Sequence, residues 1–558
     1  MKKIVTIILI SLGLTACSAE QDPNVVTIIL DDATSAHINA GMPHFNKEIQ
    51  SIATTYSSAV FDIPLCSPTT ANYLTGRIGR ETGMTNCNPN ENLPTTSDGH
   101  GIFHNGANGL MTGGVGAFDF RNTLLTEMKS AGYKVGWFGK YLNGHAGNSI
   151  TSVIDGKSVR VDYKNADHRV WKYAKDFAYQ PVPPGVDTWR AEYDHSMEPG
   201  VFKFKIHSAG NQTVGIEQEW TESPRFNQEL RQGEHIEYFK YAVKEFLQEN
   251  KGKKKFLTLR LFNPHNAQLE GKLPYVTSCN VKQALPHASL RYRGSVDPMS
   301  LPLPASLTQF MSTVSDSKLN SPDDGKNVFP CGVQDGLTHQ QMYEMYYRYA
   351  TAATIEALRD YDDLVKEVID ALKRDGEFDN TLFVLFNDNG VMNGEHGLYH
   401  KNKPWRESIN LHLVVKYPNQ QTPAIVDQHI SNTYITPTIL DIAGITPKIP
   451  LHAESLRNIS HRQKYQKVLS EGYARLCKKW DFEQVTNGDK NYFIQYFPDR
   501  KPTEFFFDMR NDKDELSNLI NQTEYQSQIE EFREYLRQFP GGPMNTEKNI
   551  DDYRNNCT

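Results

Sequence analysis

The sequence predicts an α/β fold in which a large, mainly parallel sheet is sandwiched by helices and followed by a smaller C-terminal antiparallel sheet with a helix. Two observations predict it. Continuous apolar runs rich in β-branched residues, the mark of strands buried on both faces, alternate with stretches of helical period. Beyond about residue 454 that alternation gives way to short aromatic strand patterns and one amphipathic helix.

The strand runs are 25–30, 134–139, 256–262, 381–387 and 411–417, and the helical patterns between them are 122–131, 234–248, 343–373 and 432–442. Sheets of this kind bind ligands beyond the carboxyl ends of their strands, which directs attention to the polar residues there. Segments 141–231 and 268–336 are less regular, rich in Gly, Pro and aromatic residues, and read as insertions that build substrate-binding walls. Near the C-terminus 492–497 and 504–508 read as strands and 524–539 as a helix. The expected organisation is a leader over 1–16, a catalytic domain over 17–453 carrying both insertions, and a subdomain over 454–558.

A chain of 558 residues can bury at least one sizeable core, and its composition is that of a soluble globular protein. The formal net charge of -7 excludes the basic footprint of a nucleic-acid-binding protein. An anionic substrate must therefore be gripped by a local cluster of cations, not by the field of the whole molecule. The lysine-rich run at 251–255 reads as a solvated connector before a strand.

Lys2 and Lys3 precede an apolar run over 4–14 that is too short to span a bilayer, as in an export leader. It ends in Leu14-Thr15-Ala16-Cys17, which resembles a bacterial lipobox and implies cleavage before Cys17 with a lipid anchor on its sulfur. An ordinary secretory leader is the alternative; either one exports the protein. Ser18 after the cysteine favours the outer membrane, so the expected location is periplasmic or outer-membrane anchored. With Cys17 and Cys66 set aside, Cys87, Cys279, Cys331, Cys477 and Cys557 remain, an odd number that leaves one thiol over. Cys279 with Cys331 and Cys477 with Cys557 are candidate pairs, on sequence order alone.

Pro68 places Cys66 at or beside a helix N-terminus, because proline is tolerated in the first helical turn. Unpaired N–H groups and the helix dipole make that end suitable for a tetrahedral anion. Asp31 and Asp32 follow the first strand, and Asp388 and Asn389 follow the strand at 381–387. Adjacent carboxylates repel unless a cation lies between them. Hard oxygen ligands from two strand ends suit Ca²⁺, or Mg²⁺ as the second choice.

These stretches resemble the type I, formylglycine-dependent sulfatases of the alkaline-phosphatase-like superfamily. The segment Cys66-Ser67-Pro68-Thr69-Thr70, with Leu74-Thr75-Gly76-Arg77 downstream, resembles the family's C-x-P-x-R signature. Gly132 through Gly144, Phe262-Asn263-Pro264-His265, Gly394-Glu395-His396-Gly397-Leu398 with Lys401, and Phe507-Asp508 through Leu519 resemble further family motifs in the family's order. In style they are closest to carbohydrate sulfatases of the glucosamine-6-sulfatase type.

The resemblance implies that a formylglycine-generating maturation enzyme oxidises Cys66 to the formylglycine nucleophile. It also implies that Asp31, Asp32, Cys66, Asp388 and Asn389 surround calcium. Lys140 and Lys401 are the expected catalytic cations, with Lys403 as an alternative to Lys401, and His265 the expected general acid. Two positions depart from the pattern. Thr70 stands where the family has the arginine that orients formylglycine, and Leu142 where many members have histidine, with His145 a substitute.

The expected reaction is hydrolysis of a sulfate ester on a carbohydrate. Trp171, Trp189, Arg190, His195, Trp220 and Arg225 in the insertions offer faces and cations for sulfated sugars. Two other readings stay open: a phosphodiester or phosphonate hydrolase on the same scaffold, and a catalytically silent glycan-binding lipoprotein in which Thr70 marks lost maturation.

Overall fold

In a computed structural model of the chain the apolar runs form the centre of one ten-stranded sheet. The residues described are 22–85, 103–105, 110–112, 118, 121–143, 150–154, 157–161, 182–192, 205–209, 216–219, 235–265, 285–286, 288–289, 291–313, 338–473, 480–496 and 501–539. The leader with Cys17, the cysteines proposed for disulfides, His145, Trp171, His195, Trp220 and Arg225 lie outside them.

The ten strands, in chain order, are β1 (Asn24–Leu30), β2 (Thr54–Tyr56), β3 (Lys134–Lys140), β4 (Thr188–Glu192), β5 (Lys205–Ala209), β6 (Ile216–Glu219), β7 (Lys255–Arg260), β8 (Thr381–Asn387), β9 (Leu413–Lys416) and β10 (Ala424–Val426). They lie side by side as β6-β5-β4-β3-β7-β1-β8-β9-β2-β10. The central five, β4-β3-β7-β1-β8, are parallel throughout. Strand β9 runs antiparallel to both neighbours, and β5 likewise. The run at 411–417 is thus a strand as expected, but one that opposes the central direction.

Every residue of β1 and β8 is buried, as befits strands covered on both faces. Alternation divides their side chains between two cores. On one face Val25, Ile29, Trp137, Val384 and Phe386 pack with the helices α1 (Cys66–Thr75), α2 (Leu124–Ser130) and α5 (Ile435–Ile442). On the other Val26, Ile28, Leu30, Leu257 and Leu385 pack with α3 (His235–Glu249) and α4 (His339–Arg374). The sheet is sandwiched by helices, as the sequence predicts.

Segment 141–231 does more than form loops, because it contributes β4, β5 and β6 to the main sheet. Trp189 on β4, read from sequence as a sugar-facing ring, is fully buried against Trp137 and Tyr141. Its neighbour Arg190 is half-buried and donates through Nη1 to the Trp189 carbonyl.

The C-terminal part holds four antiparallel strands, β11 (Val468–Tyr473), β12 (Trp480–Thr486), β13 (Lys490–Gln495) and β14 (Thr503–Asp508). Helix α6 (Gln526–Arg537) covers this sheet through Ile529, Phe532 and Leu536. The other face meets the main unit, where Phe493 and Phe507 pack on Met392, Leu398 and Trp405. Arg80 is buried in a salt bridge to Glu471 of β11, which fastens the start of the second sheet to the loop after α1. Among the described residues no helix is long and apolar enough to cross a membrane.

Candidate active site

Register decides what meets at the sheet's carboxyl edge. Leu30 at the end of β1 pairs with Asn387 at the end of β8, so Asp31 and Asp388 emerge side by side. Gly139 of β3 pairs with Arg260 of β7, so Lys140 emerges beside them. Gly139 has φ +102°, and a Cβ there would lie 2.2 Å from the Arg260 carbonyl oxygen; only glycine lets the two strands meet so closely. Helix α1 begins with Cys66 itself, capped by the extended residue Leu65, and its dipole end abuts the same edge.

The polar side chains form one network around the Cys66 sulfur. Lys401 Nζ lies 2.7 Å from Cys66 Sγ and 2.5 Å from Asp32 Oδ1. Cys66 Sγ is 3.6 Å from Asp31 Oδ1 and 3.5 Å from Asn389 Oδ1. Lys140 Nζ donates to Asp31 Oδ2 at 2.6 Å, Asn389 Nδ2 donates to Asp32 Oδ1 at 2.7 Å, and the Asp32 amide donates to Asp388 Oδ1 at 3.2 Å. His265 Nε2 is 3.4 Å from Asp32 Oδ2. Every catalytic or metal-binding residue expected from sequence therefore lies in this one cluster. Between the two candidate lysines, the structure puts Lys401 in it, whereas the Lys403 amide bonds Ser408 Oγ.

Asp31, Arg260 and Asp388 are fully buried, while the side chains of His265 and Lys401 keep 19% and 17% exposure. The cluster is thus open to solvent on the His265–Lys401 side. Lys401 is held by an unusual loop, since both flanking residues, His400 and Asn402, have left-handed φ of 71° and 60°. Such backbone persists only when the surroundings enforce it.

Burial raises the Asp31 carboxyl, but Lys140, then His265, Lys401 and Arg260 outweigh it and hold the group well below the usual range. Asp32 is lowered in the same way, by Lys401 and His265 against burial. Asp388 goes the other way: burial and the negative charge of Asp31 and Cys66 raise it well above its usual value despite Arg260. The Lys401 ammonium is stabilised by Asp32 and Cys66 against the cost of burial. His265 is lowered, with burial outweighing Asp32.

The site meets the requirements of a divalent cation. One donor atom each from Asp31, Asp32, Cys66 and His265 lie within 4.8 Å of one another, and Asn389 and Asp388 add oxygens beside them.

Three residues of this neighbourhood escape sequence reading. Arg260 hides inside an apolar strand run, where periodicity assigns it to the core. Glu192 ends β4 and accepts from the Phe262 amide at 2.6 Å; burial pushes its carboxyl up to about 8. His400 precedes Lys401, and burial pushes it down to about 4. Their signal is pairing register, which needs the sheet order. Thr70 is also buried here, its hydroxyl donating to the Cys66 carbonyl at 2.7 Å.

The family model for sulfatases matches residues 23–445, well over half of the chain. The chain belongs to the sulfatase family. A second model, the C-terminal region of N-sulphoglucosamine sulphohydrolase, matches this sulfatase over 394–540. An arylsulfatase of Clostridium perfringens is 27% identical over 192 residues, which are 34% of this chain and 39% of the relative. An N-acetylglucosamine-6-O-sulfatase of Bacteroides thetaiotaomicron is 25% identical over 35% of this chain and 36% of its own length. These alignments thus span little more than a third of the curated relatives.

Among solved structures, one in complex with its substrate D-glucosamine-2-N,6-O-disulfate matches with TM-score 0.62 at 15% identity, over 95% of this sulfatase and 99% of that chain. A phosphonate monoester hydrolase from Silicibacter pomeroyi matches with TM-score 0.59 at 16% identity, over 92% and 95%. At such identities the likeness is one of fold.

Proposed function

We propose that this sulfatase hydrolyses a sulfate ester on a carbohydrate, with formylglycine derived from Cys66 as nucleophile and calcium as the bound metal. The observation that carries the reading is the position of Cys66 Sγ, on the first residue of α1 and 2.7 Å from Lys401 Nζ. Asp31, Asp32, Asp388 and Asn389 would hold the cation, Mg²⁺ being the smaller alternative. When bound, it supplies positive charge to the sulfate oxygens as their electron density rises.

The chain's own residues supply the rest. Lys140 and Lys401, with the N-terminus of α1, bind the anionic sulfate group and fix it against residue 66. Formylglycine at residue 66, once hydrated, would supply two hydroxyls: one would give up its proton as it displaces the ester oxygen from sulfur, the other would give up its proton as sulfate is released from carbon, and water would rehydrate the aldehyde. His265, at the open side, is placed to deliver a proton to the leaving oxygen. Burial outweighs Asp32 and lowers the proton affinity of His265, and the negative charge of an arriving sulfate would raise it.

The N-acetylglucosamine-6-O-sulfatase relative and the glucosamine disulfate complex favour a sulfated sugar as the substrate. Export as a lipoprotein anchored at Cys17 would place the enzyme where such polysaccharides are met. The peptide carrying residue 66, from protein made in its own host, tests the nucleophile: formylglycine is lighter than cysteine, and an unchanged mass would sink the mechanism. Turnover of aryl sulfate against aryl phosphate diester tests the reaction class, and a preference for the diester would select the phosphodiester or phosphonate reading.

A further inference from the structure

Arg260 is fully buried at the last position of β7, a costly place for a guanidinium unless its hydrogen bonds are specific. Nη1 donates to the Tyr141 carbonyl at 2.6 Å, and Nη2 donates to Asp388 Oδ2 at 2.7 Å. The same Nη2 reaches the Cys66 carbonyl at 3.4 Å. Nε has no hydrogen-bond partner among the described residues. One side chain thus ties three elements together: the segment after β3, the segment after β8 and the first turn of α1.

Position 70 faces the same atom. Thr70 lies one turn after Cys66, is buried, and its hydroxyl also binds the Cys66 carbonyl. Two donors from different elements therefore converge on the backbone of residue 66, a short one from the helix and a cationic one from the strand. The short side chain at 70 leaves the cationic task to position 260.

We propose that Arg260 is a positioning residue for the nucleophile, clamping residue 66 to Asp388 from strand β7 and replacing the guanidinium that the sulfatase signature carries at position 70. The clamp stands on geometry alone; its catalytic consequence rests on the function proposed above. Arg260 does not touch the reacting sulfur centre. It fixes the helix turn that presents residue 66, and it fixes the Asp388 carboxylate, through charge-assisted hydrogen bonds. Moving the guanidinium from the strand to the helix should preserve the clamp. Two guanidiniums at once would be forced together in a buried space.

The test is a cycle of Arg260→Ala, Thr70→Arg and the double variant in the full chain, with Arg260→Lys alongside. Arg260→Ala should lower kcat by about a hundredfold with KM within about threefold, since positioning is lost and sulfate binding is not. Thr70→Arg alone should lower both Tm and kcat. The double variant should recover about tenfold or more in kcat over Arg260→Ala, and a higher Tm, because the two sites are coupled. Arg260→Lys, with a point charge in place of a fork, should recover less than the double variant.

The mass of the residue-66 peptide in each variant separates loss of positioning from loss of maturation. A double variant no better than Arg260→Ala in both kcat and Tm overturns the proposal, as does wild-type kcat in Arg260→Ala. Wild-type protein without sulfate release would instead overturn the functional reading, while the Tm cycle still decides the clamp.

Discussion

Lys401 Nζ lies 2.7 Å from Cys66 Sγ and 2.5 Å from Asp32 Oδ1, so one ammonium spans the proposed nucleophile and a carboxylate proposed to bind the metal. Its hold on charge is reinforced from both sides, since Asp32 and Cys66 outweigh the cost of its burial. Lys401→Met should lower kcat by about 10²–10³, the loss typical of a preorganised charge aimed at a developing anion. Lys403→Met should cost far less, since it is the Lys401 ammonium that contacts both Cys66 Sγ and Asp32. Steady-state kinetics of the two variants decide the assignment; equal losses would return Lys403 to the site.

His265 and Lys401 are the two partly exposed members of the cluster. If His265 protonates the leaving oxygen, its importance must scale with how poor the leaving group is. His265→Ala should therefore lower turnover of a sugar alkyl sulfate by about 10²-fold or more, but that of an activated aryl sulfate by much less. Equal loss on both substrates would remove it from the role of acid and leave it a partner of Asp32.

What could be read from the sequence follows from the range of each signal. Strands buried on both faces leave continuous apolar runs, so 25–30 and 381–387 stand out, and the carboxylates that follow them come with them. Pro68 marks the start of α1 and hence Cys66. Strands such as β2 and β10, three residues each, carry too little pattern to be seen, and strand direction leaves none, which is why the reversal of β9 is invisible. Trp189 looks like a ligand in a loop-rich segment only until β4 joins the sheet and buries it. Arg260 escaped for the opposite reason: a strand of apolar neighbours conceals a charge whose partners, Asp388 and the Cys66 carbonyl, lie 128 and 194 residues away.

The cluster of Asp31, Asp32 and Asp388 also predicts metal-dependent stability. A cation that binds only the folded chain stabilises it by about 2.7 kcal/mol at a hundred times its Kd. Treatment with a chelator should therefore lower Tm, and calcium should restore it in a concentration-dependent way. Asp388→Asn should flatten that dependence, since it removes one of the carboxylates proposed to hold the cation. A Tm indifferent to chelator and calcium in the wild-type protein would exclude a resident divalent ion.

Glu192 gives a prediction whose sign is fixed by linkage. It is 5% exposed at the end of β4, and burial raises its carboxyl to about 8, with the charge of Asp31 adding to the shift. The unfolded chain loses this proton near the ordinary glutamate value of 4.5, whereas the folded chain keeps it until about 8. Across that window the folded state binds more protons, so the stability Glu192 contributes is complete below the lower value and is lost as pH rises through the upper one. Glu192→Gln cannot titrate, yet its amide oxygen can still accept from the Phe262 amide, as the carboxyl does now. Its stability relative to wild type should therefore climb between about pH 4.5 and 8 and then level off, by an amount on the order of a few kcal/mol. Other buried acids, Glu395 and Glu515 among them, titrate in the same range, but they do so in both proteins and cancel in the difference. A difference that stays flat from pH 4 to 9 would show that Glu192 is ionised in the folded protein, with Lys140 rather than burial setting its charge.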